Sequence, residues 1–179
     1  RLLGVSLTGI MDNQLLSGKD AVYGKNFGWA LGQMKGQAVR VNEEVAAELG
    51  IPRSTAITCV KPSGTVSQLV DSASGIHARH SDMYIRTVRG DNKDPLTQFM
   101  KDQGIVNEPC VMKPDTTTVF SFPIKAPLSS VTRNDMTAIE QLELWLIYQR
   151  DFCNHKPSIT VSVADHEWPE VGAWVYNHF

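Results

Sequence analysis

Apolar residues recur at gaps of three and four from Phe27 through Leu31, Met34, Ala38, Val41 and Val45 to Leu49, while Glu43, Glu44 and Glu48 fall off that stripe. The spacing predicts one amphipathic helix over residues 25–49. Gly50 and Pro52 end it, the first free to turn left-handed and the second unable to continue a helix. Residues 55–60 are short, apolar or β-branched, and bounded by Pro52 and Pro62, which predicts a buried strand paired in parallel. A loop over 61–65 leads into a short helix over 66–70, which the small residues of Asp71-Ser72-Ala73-Ser74-Gly75 break. Further strands are predicted at 83–89, 117–124 and 158–163. Asp94 and Pro95 open a short helix to Lys101 after a turn over 90–93. Asn134 or Asp135 caps a long helix to Phe152, and a last helix runs over 167–179. Ile139, Leu142, Leu144, Trp145, Leu146, Ile147 and Tyr148 make the long helix apolar over much of its circumference, as expected of one buried against several neighbours.

Strands and helices broadly alternate, so the expected class is α/β with parallel crossovers. No linker, repeat or low-complexity segment divides the chain, and residues 1–179 are expected to form one body with no internal boundary. The chain begins at Arg1 without a Met and stops inside an amphipathic pattern (Trp168, Val171, Trp174, Val175, Phe179). Both features read as those of a piece of a larger protein.

Composition narrows the class further. Hydrophobic residues make up 42% and charged residues 20%, enough for a packed core. A net charge of -2 argues against a general nucleic-acid binder. No apolar run approaches the roughly 20 residues that span a bilayer, and no signal peptide is evident. Neither nucleic acid nor membrane is therefore expected as a partner. The three cysteines, Cys59, Cys110 and Cys153, are widely spaced with no CxxC. That spacing supports neither a zinc site nor a disulfide framework, and a reducing cytoplasm is the simpler setting.

The chemistry concentrates in Lys61-Pro62-Ser63-Gly64-Thr65-Val66-Ser67. A strand leads in and a helix leads out, and the first N–H groups of a helix lack intrahelical partners and carry partial positive charge. Gly64 lets backbone approach a ligand, Ser63, Thr65 and Ser67 offer hydroxyls, and Lys61 offers charge. The segment is neither GxxxxGK[ST] nor GxGxxG. By spacing alone it is equally an ordinary turn followed by a helix cap.

The longer stretch TCVKPSGTVSQLVDSASGIHARHSDMYIRTVRGDNKDPL, residues 58–96, resembles the phosphate-loop region of class II ribonucleotide reductases, above all the triphosphate-reducing branch. The opening RLLGVSLTGIMDN and the closing SITVSVADHEWPEVGAWVYNHF resemble the segments that flank it in that family's barrel. The resemblance implies a portion of a ten-stranded α/β barrel, adenosylcobalamin as cofactor, a ribonucleoside triphosphate as substrate and a thioredoxin-type reductant. It further implies thiyl radical chemistry that supplies deoxyribonucleotides for DNA replication. By resemblance Pro62, Ser63, Gly64, Thr65, Val66 and Ser67 are substrate-binding. The family's Asn-x-Cys-x-Glu signature does not occur here, and Cys110 follows Asn107-Glu108-Pro109 in the wrong order. No catalytic residue is therefore assigned to this chain, and the chain alone is expected to be inactive. A stand-alone phosphate-binding module and a piece of a diphosphate-reducing enzyme are the competing readings.

His77 and His80 lie three apart with Asp82 as the nearby carboxylate, too few ligands for a metal, and are read as a loop at the site's mouth. Arg86 and Arg89 are read first as a solvated strand edge. His155, His166 and His178 show no partner pattern. Trp145, Trp168 and Trp174 are read as core or interface residues, and Cys59 and Cys153 as core.

Overall fold

The computed structural model describes residues 2–19, 26–64 and 66–178. It contains two compact units, Arg1–His80 with Pro127–Phe179, and Ser81–Ala126. No run of linker-like composition marks the joins at His80 and Pro127.

In the larger unit β1 (Leu2–Ser6) pairs in parallel with β2 (Ala56–Cys59). Between them runs α1 (Phe27–Glu48), as a parallel pairing requires of its connection. The side chain of Asn154 accepts hydrogen bonds from the N–H groups of Ile57 and Thr58, both at 3.1 Å, and the Asn154 N–H returns one to the Thr58 carbonyl at 2.8 Å. The Thr58 hydroxyl donates to the Phe152 carbonyl. The strand that feeds the loop is thus tied to β1 and to the segment just after α4 (Ala138–Asp151). α5 (Trp168–His178) follows, with Trp174 buried edge-to-face against Trp145 at 6.5 Å.

One continuous core joins Ile10, Met11, Phe27, Leu31, Ile76 and Tyr148. The Tyr148 ring lies 6.0 Å from Phe27, and its hydroxyl donates to the Leu16 carbonyl at 2.8 Å, so the buried polar tip is satisfied. The predicted α1 stripe divides in two. Phe27 and Leu31 enter this core, whereas Met34, Val41, Val45 and Leu49 stay largely exposed and line a groove of about 870 Å³ with β1 and the 51–54 segment.

The smaller unit holds β3 (Met83–Asp91), α3 (Pro95–Asp102), β4 (Asn107–Pro109) and β5 (Thr117–Lys125). Its sheet has the order β3-β5-β4 and is wholly antiparallel, so parallel crossovers describe the larger unit only. Asp94 caps α3, its side chain accepting from the Leu96 N–H at 2.9 Å with Pro95 in the first turn.

Two expectations are corrected. The long helix begins at Ala138 and is capped by Thr137 in a reciprocal box with Glu140, not by Asn134 or Asp135. Asp135 instead accepts from the Thr132 N–H and hydroxyl, each at 2.7 Å. Residues 158–163 keep their alternation of exposed and partly buried positions but form no strand, because no ladder partner stands beside them among the described residues.

Candidate functional site

β2 delivers the chain from the buried Val60 to a turn that is exposed at Pro62 and Gly64 and half-buried at Ser63, and α2 (Val66–Leu69) leaves it. Thr65 lies outside the described residues. The loop's groups divide into two sets. Ser67 is fully buried, and both its N–H (3.1 Å) and its hydroxyl donate to the Ser63 carbonyl. The Ser63 N–H donates to the Ser74 hydroxyl at 2.8 Å, and the Ser63 hydroxyl lies 2.8 Å from that of Thr8. These groups shape the loop.

The outward set is different. Among the described residues, the N–H groups of Gly64 and Val66 reach no protein acceptor. A Cβ at Gly64 would meet no heavy atom within 4 Å, and the residue does not occupy the left-handed region. The chain's own packing therefore does not demand glycine there. α2 is only four residues long, so individual amides rather than a helix dipole supply the donors at this turn. Pro62 and Val66 flank these amides as exposed apolar residues.

Beneath the loop lies a buried polar scaffold that the sequence reading did not identify. Arg79, 5% exposed, grips Asp12 through two parallel hydrogen bonds, Nε to Oδ1 and Nη2 to Oδ2, both 2.8 Å. Asp12 also accepts from the Ser130 hydroxyl at 2.7 Å and the Ala73 N–H at 2.6 Å. Burial pushes the Asp12 carboxyl upward, but the hydrogen bonds from Arg79, Ser130 and Ala73, with the guanidinium charge, hold it below the usual range. Arg79 donates further to the Asp71 carbonyl at 2.9 Å, where Asp71 sits at φ 46°. Gly75, at φ 52°, passes so close to the chain that a Cβ would stand 2.8 Å from the Lys61 carbonyl oxygen. That position requires glycine, and it seats the 71–75 turn against the base of the loop.

The remaining candidates lie as follows. His77 pairs through Nδ1 with the Ser74 carbonyl at 3.0 Å, and His80 is exposed. No group of three His, Cys, Asp or Glu side chains suited to a metal occurs among the described residues. Arg86 and Arg89 lie on β3 of the smaller unit. There the N–H groups of Met112 and Lys113, with Arg89, hold the Cys110 thiol below its ordinary value. Burial pushes the Cys153 thiol up to about 11. No helix among the described residues is long and apolar enough to cross a membrane.

No protein-family model matches the chain. Comparison with known proteins finds relatives named adenosylcobalamin-dependent ribonucleoside-triphosphate reductase. That of Euglena gracilis is 34% identical over 119 residues, covering 66% of this chain and 16% of the relative. That of Lactobacillus leichmannii is 27% identical over 195 residues, covering 96% of this chain and 26% of the relative. A Dictyostelium discoideum protein, named as a probable enzyme of this kind, is 33% identical over 68% of this chain and 16% of its own length. A crystal structure of a B12-dependent class II ribonucleotide reductase superposes with a TM-score of 0.80 at 25% identity, covering 96% of this chain and 27% of that one. The chain thus spans about a quarter, or less, of the length of these relatives. Likeness in both sequence and fold, along nearly the whole chain, places it in the family of adenosylcobalamin-dependent, class II ribonucleotide reductases, as a portion of their α/β barrel.

Proposed function

We propose that this chain is the part of a ribonucleoside-triphosphate reductase that holds the substrate's phosphates, with Pro62, Ser63, Gly64, Thr65, Val66 and Ser67 as the binding loop. One observation carries the assignment. At the end of a buried parallel strand, an exposed turn presents the amides of Gly64 and Val66 without a protein acceptor among the described residues, and Gly64 is a glycine that its own chain does not need. An anion with several acceptor oxygens satisfies such amides, and the absent side chain lets it come close. Ser63 and Ser67 shape the loop from within, and Pro62 and Val66 flank it.

When bound, adenosylcobalamin supplies the radical from which the family's chemistry starts. The described residues do not match such a group. The loop's donors suit phosphate, and the 870 Å³ groove is walled by aliphatic side chains with few polar groups (Gln33, Gln37, Asn42, Ser54) to meet a corrin's many amides. We assign cofactor contacts, the radical cysteine and the meeting with a thioredoxin-type reductant to the rest of a cytoplasmic protein. Cys59, Cys110 and Cys153 take no part in turnover on this reading.

The test is Gly64→Val in the intact reductase. A branched side chain at the closest approach is expected to raise the Michaelis constant for ribonucleoside triphosphate by about tenfold or more, since lost charge-assisted hydrogen bonds cost about 1.5–3 kcal/mol each. Unchanged Michaelis constants in a folded variant would remove the loop from substrate binding.

A further inference from the structure

The bonds from Ser67 to the Ser63 carbonyl do not hold the loop alone. It leans on the 71–75 turn, and both lean on a short stretch fifty residues earlier in sequence. The Thr8 hydroxyl is the joint. It lies 2.8 Å from the Ser63 hydroxyl, donates to the Ala73 carbonyl at 3.0 Å and accepts from the Gly75 N–H at 3.0 Å. Next to it Gly9, at φ 70°, donates its N–H to the same Ala73 carbonyl at 2.8 Å, and the Ile10 N–H reaches the Gly75 carbonyl at 3.3 Å. Four residues after Thr8, Asp12 takes the Ala73 N–H and the Arg79 guanidinium, and Arg79 fixes the Asp71 carbonyl. Asp12 and Arg79 are themselves anchored, since Ser130 donates to Asp12 and the Arg79 backbone bonds to Val131 and Arg133.

We propose that Thr8, backed by the Asp12–Arg79 pair, is the positioning residue of the substrate-phosphate loop: its hydroxyl sets where Ser63, and hence the amide of Gly64, stands. The inference rests on the phosphate reading of that loop. Thr8 does not touch substrate; it acts through Ser63 and the 73–75 backbone. A threonine hydroxyl suits the task because one oxygen both donates and accepts, and can therefore join a hydroxyl, a carbonyl and an N–H at a single point. Asp12–Arg79 suits the backing role because a bidentate pair fixes direction as well as distance.

The experiment compares Thr8→Val, Thr8→Ser, Asp12→Asn and Gly64→Val in the intact reductase, with ribonucleoside triphosphate varied and thermal unfolding followed in parallel. Thr8→Val keeps the shape and removes the joint. It is expected to raise the Michaelis constant about tenfold with kcat within about twofold of the parent, the signature of lost ground-state and transition-state binding alike. Thr8→Ser, which restores the hydroxyl, is expected to return the constant to within about twofold of the parent. Asp12→Asn, isosteric and with one acceptor retained, is expected to shift the same constant and serves where Thr8→Val does not accumulate as folded protein. A folded Thr8→Val or Asp12→Asn enzyme with an unchanged Michaelis constant, beside a Gly64→Val enzyme with a raised one, overturns the positioning role and leaves the loop assignment standing. An equal loss in Thr8→Val and Thr8→Ser also overturns it, because packing rather than the hydroxyl would then matter. Failure of the loop reading itself shows differently, as an unchanged constant in Gly64→Val.

Discussion

At the scale of single residues, the three cysteines separate by environment rather than by sequence. Cys59 lies in β2 at 2% exposure with its sulfur 3.9 Å from the Val5 carbonyl oxygen, and Cys153 closes α4 within the core, where burial raises its thiol. Cys110 is also covered, yet two backbone N–H groups and Arg89 face its sulfur and favour the thiolate. A thiol with a lowered pKa keeps its thiolate as pH falls, whereas one raised to about 11 is almost wholly protonated at neutral pH. Alkylation of the native chain with a small haloacetamide, followed by peptide mapping, is therefore expected to modify Cys110 first. Its rate should fall off at lower pH than that of Cys153. Equal labelling of Cys110 and Cys153 across about pH 7.5–9.5, roughly one unit either side of the ordinary thiol value, would show that the amides do not stabilise the thiolate. Because this sulfur belongs to the smaller unit and not to the phosphate loop, Cys110→Ala in the intact reductase is expected to retain turnover.

At the scale of elements, what could be read from the chain was what is locally determined. α1, β2, β3, α3, β5, α4 and α5 all follow from periodicity, β-branched runs or end signals within their own residues. β1 was not apparent, because Leu2–Ser6 includes Gly4 and Ser6, and its strand character comes from pairing with residues more than fifty positions later. The same dependence worked in reverse at 158–163, where the alternation is present and a partner is not. The phosphate loop was visible as a contiguous motif, but its support was not. Thr8, Asp12, Ser74 and Arg79 are far apart in sequence, and hydrogen bonding through space leaves no spacing signature. The α4 start was misplaced although its signal was present, since Thr137-Ala138-Ile139-Glu140 has the capping-box pattern. Asn134 and Asp135 are intrinsically strong caps, but the Thr132 turn already uses Asp135. Thr137→Ala removes the hydroxyl that accepts the Glu140 N–H at 3.2 Å and is expected to cost about 1 kcal/mol in chemical denaturation. Asn134→Ala is expected to change stability by less than about 0.5 kcal/mol, as at an ordinary exposed position. A larger loss at Asn134 than at Thr137 would reverse this assignment.

At the scale of the whole chain, the unequal use of α1 has a measurable consequence. The first turns of the helix are sealed in the core through Phe27 and Leu31, but Met34, Val41, Val45 and Leu49 continue the same stripe into the open groove, joined by Val5 from β1 and by Ile51. Six aliphatic side chains, each more than a third exposed, form one contiguous apolar surface, which isolated soluble chains rarely leave uncovered because removing it from water is worth about 25 cal/mol per Å². Residues 1–179 expressed alone are therefore expected to self-associate, with a sedimentation mass above that of one chain that rises with concentration. Val41→Glu combined with Val45→Lys is the corresponding control. It places an ion pair at i, i+4 in the favourable order on an exposed helix face, leaves Phe27 and Leu31 in the core, and is expected to return the chain to a monomer with its helix content intact. A parent chain that is monomeric over the same concentrations, or a double variant that still associates, would locate the self-association elsewhere or remove it, and the α1 groove would then carry no weight in how this chain behaves in water.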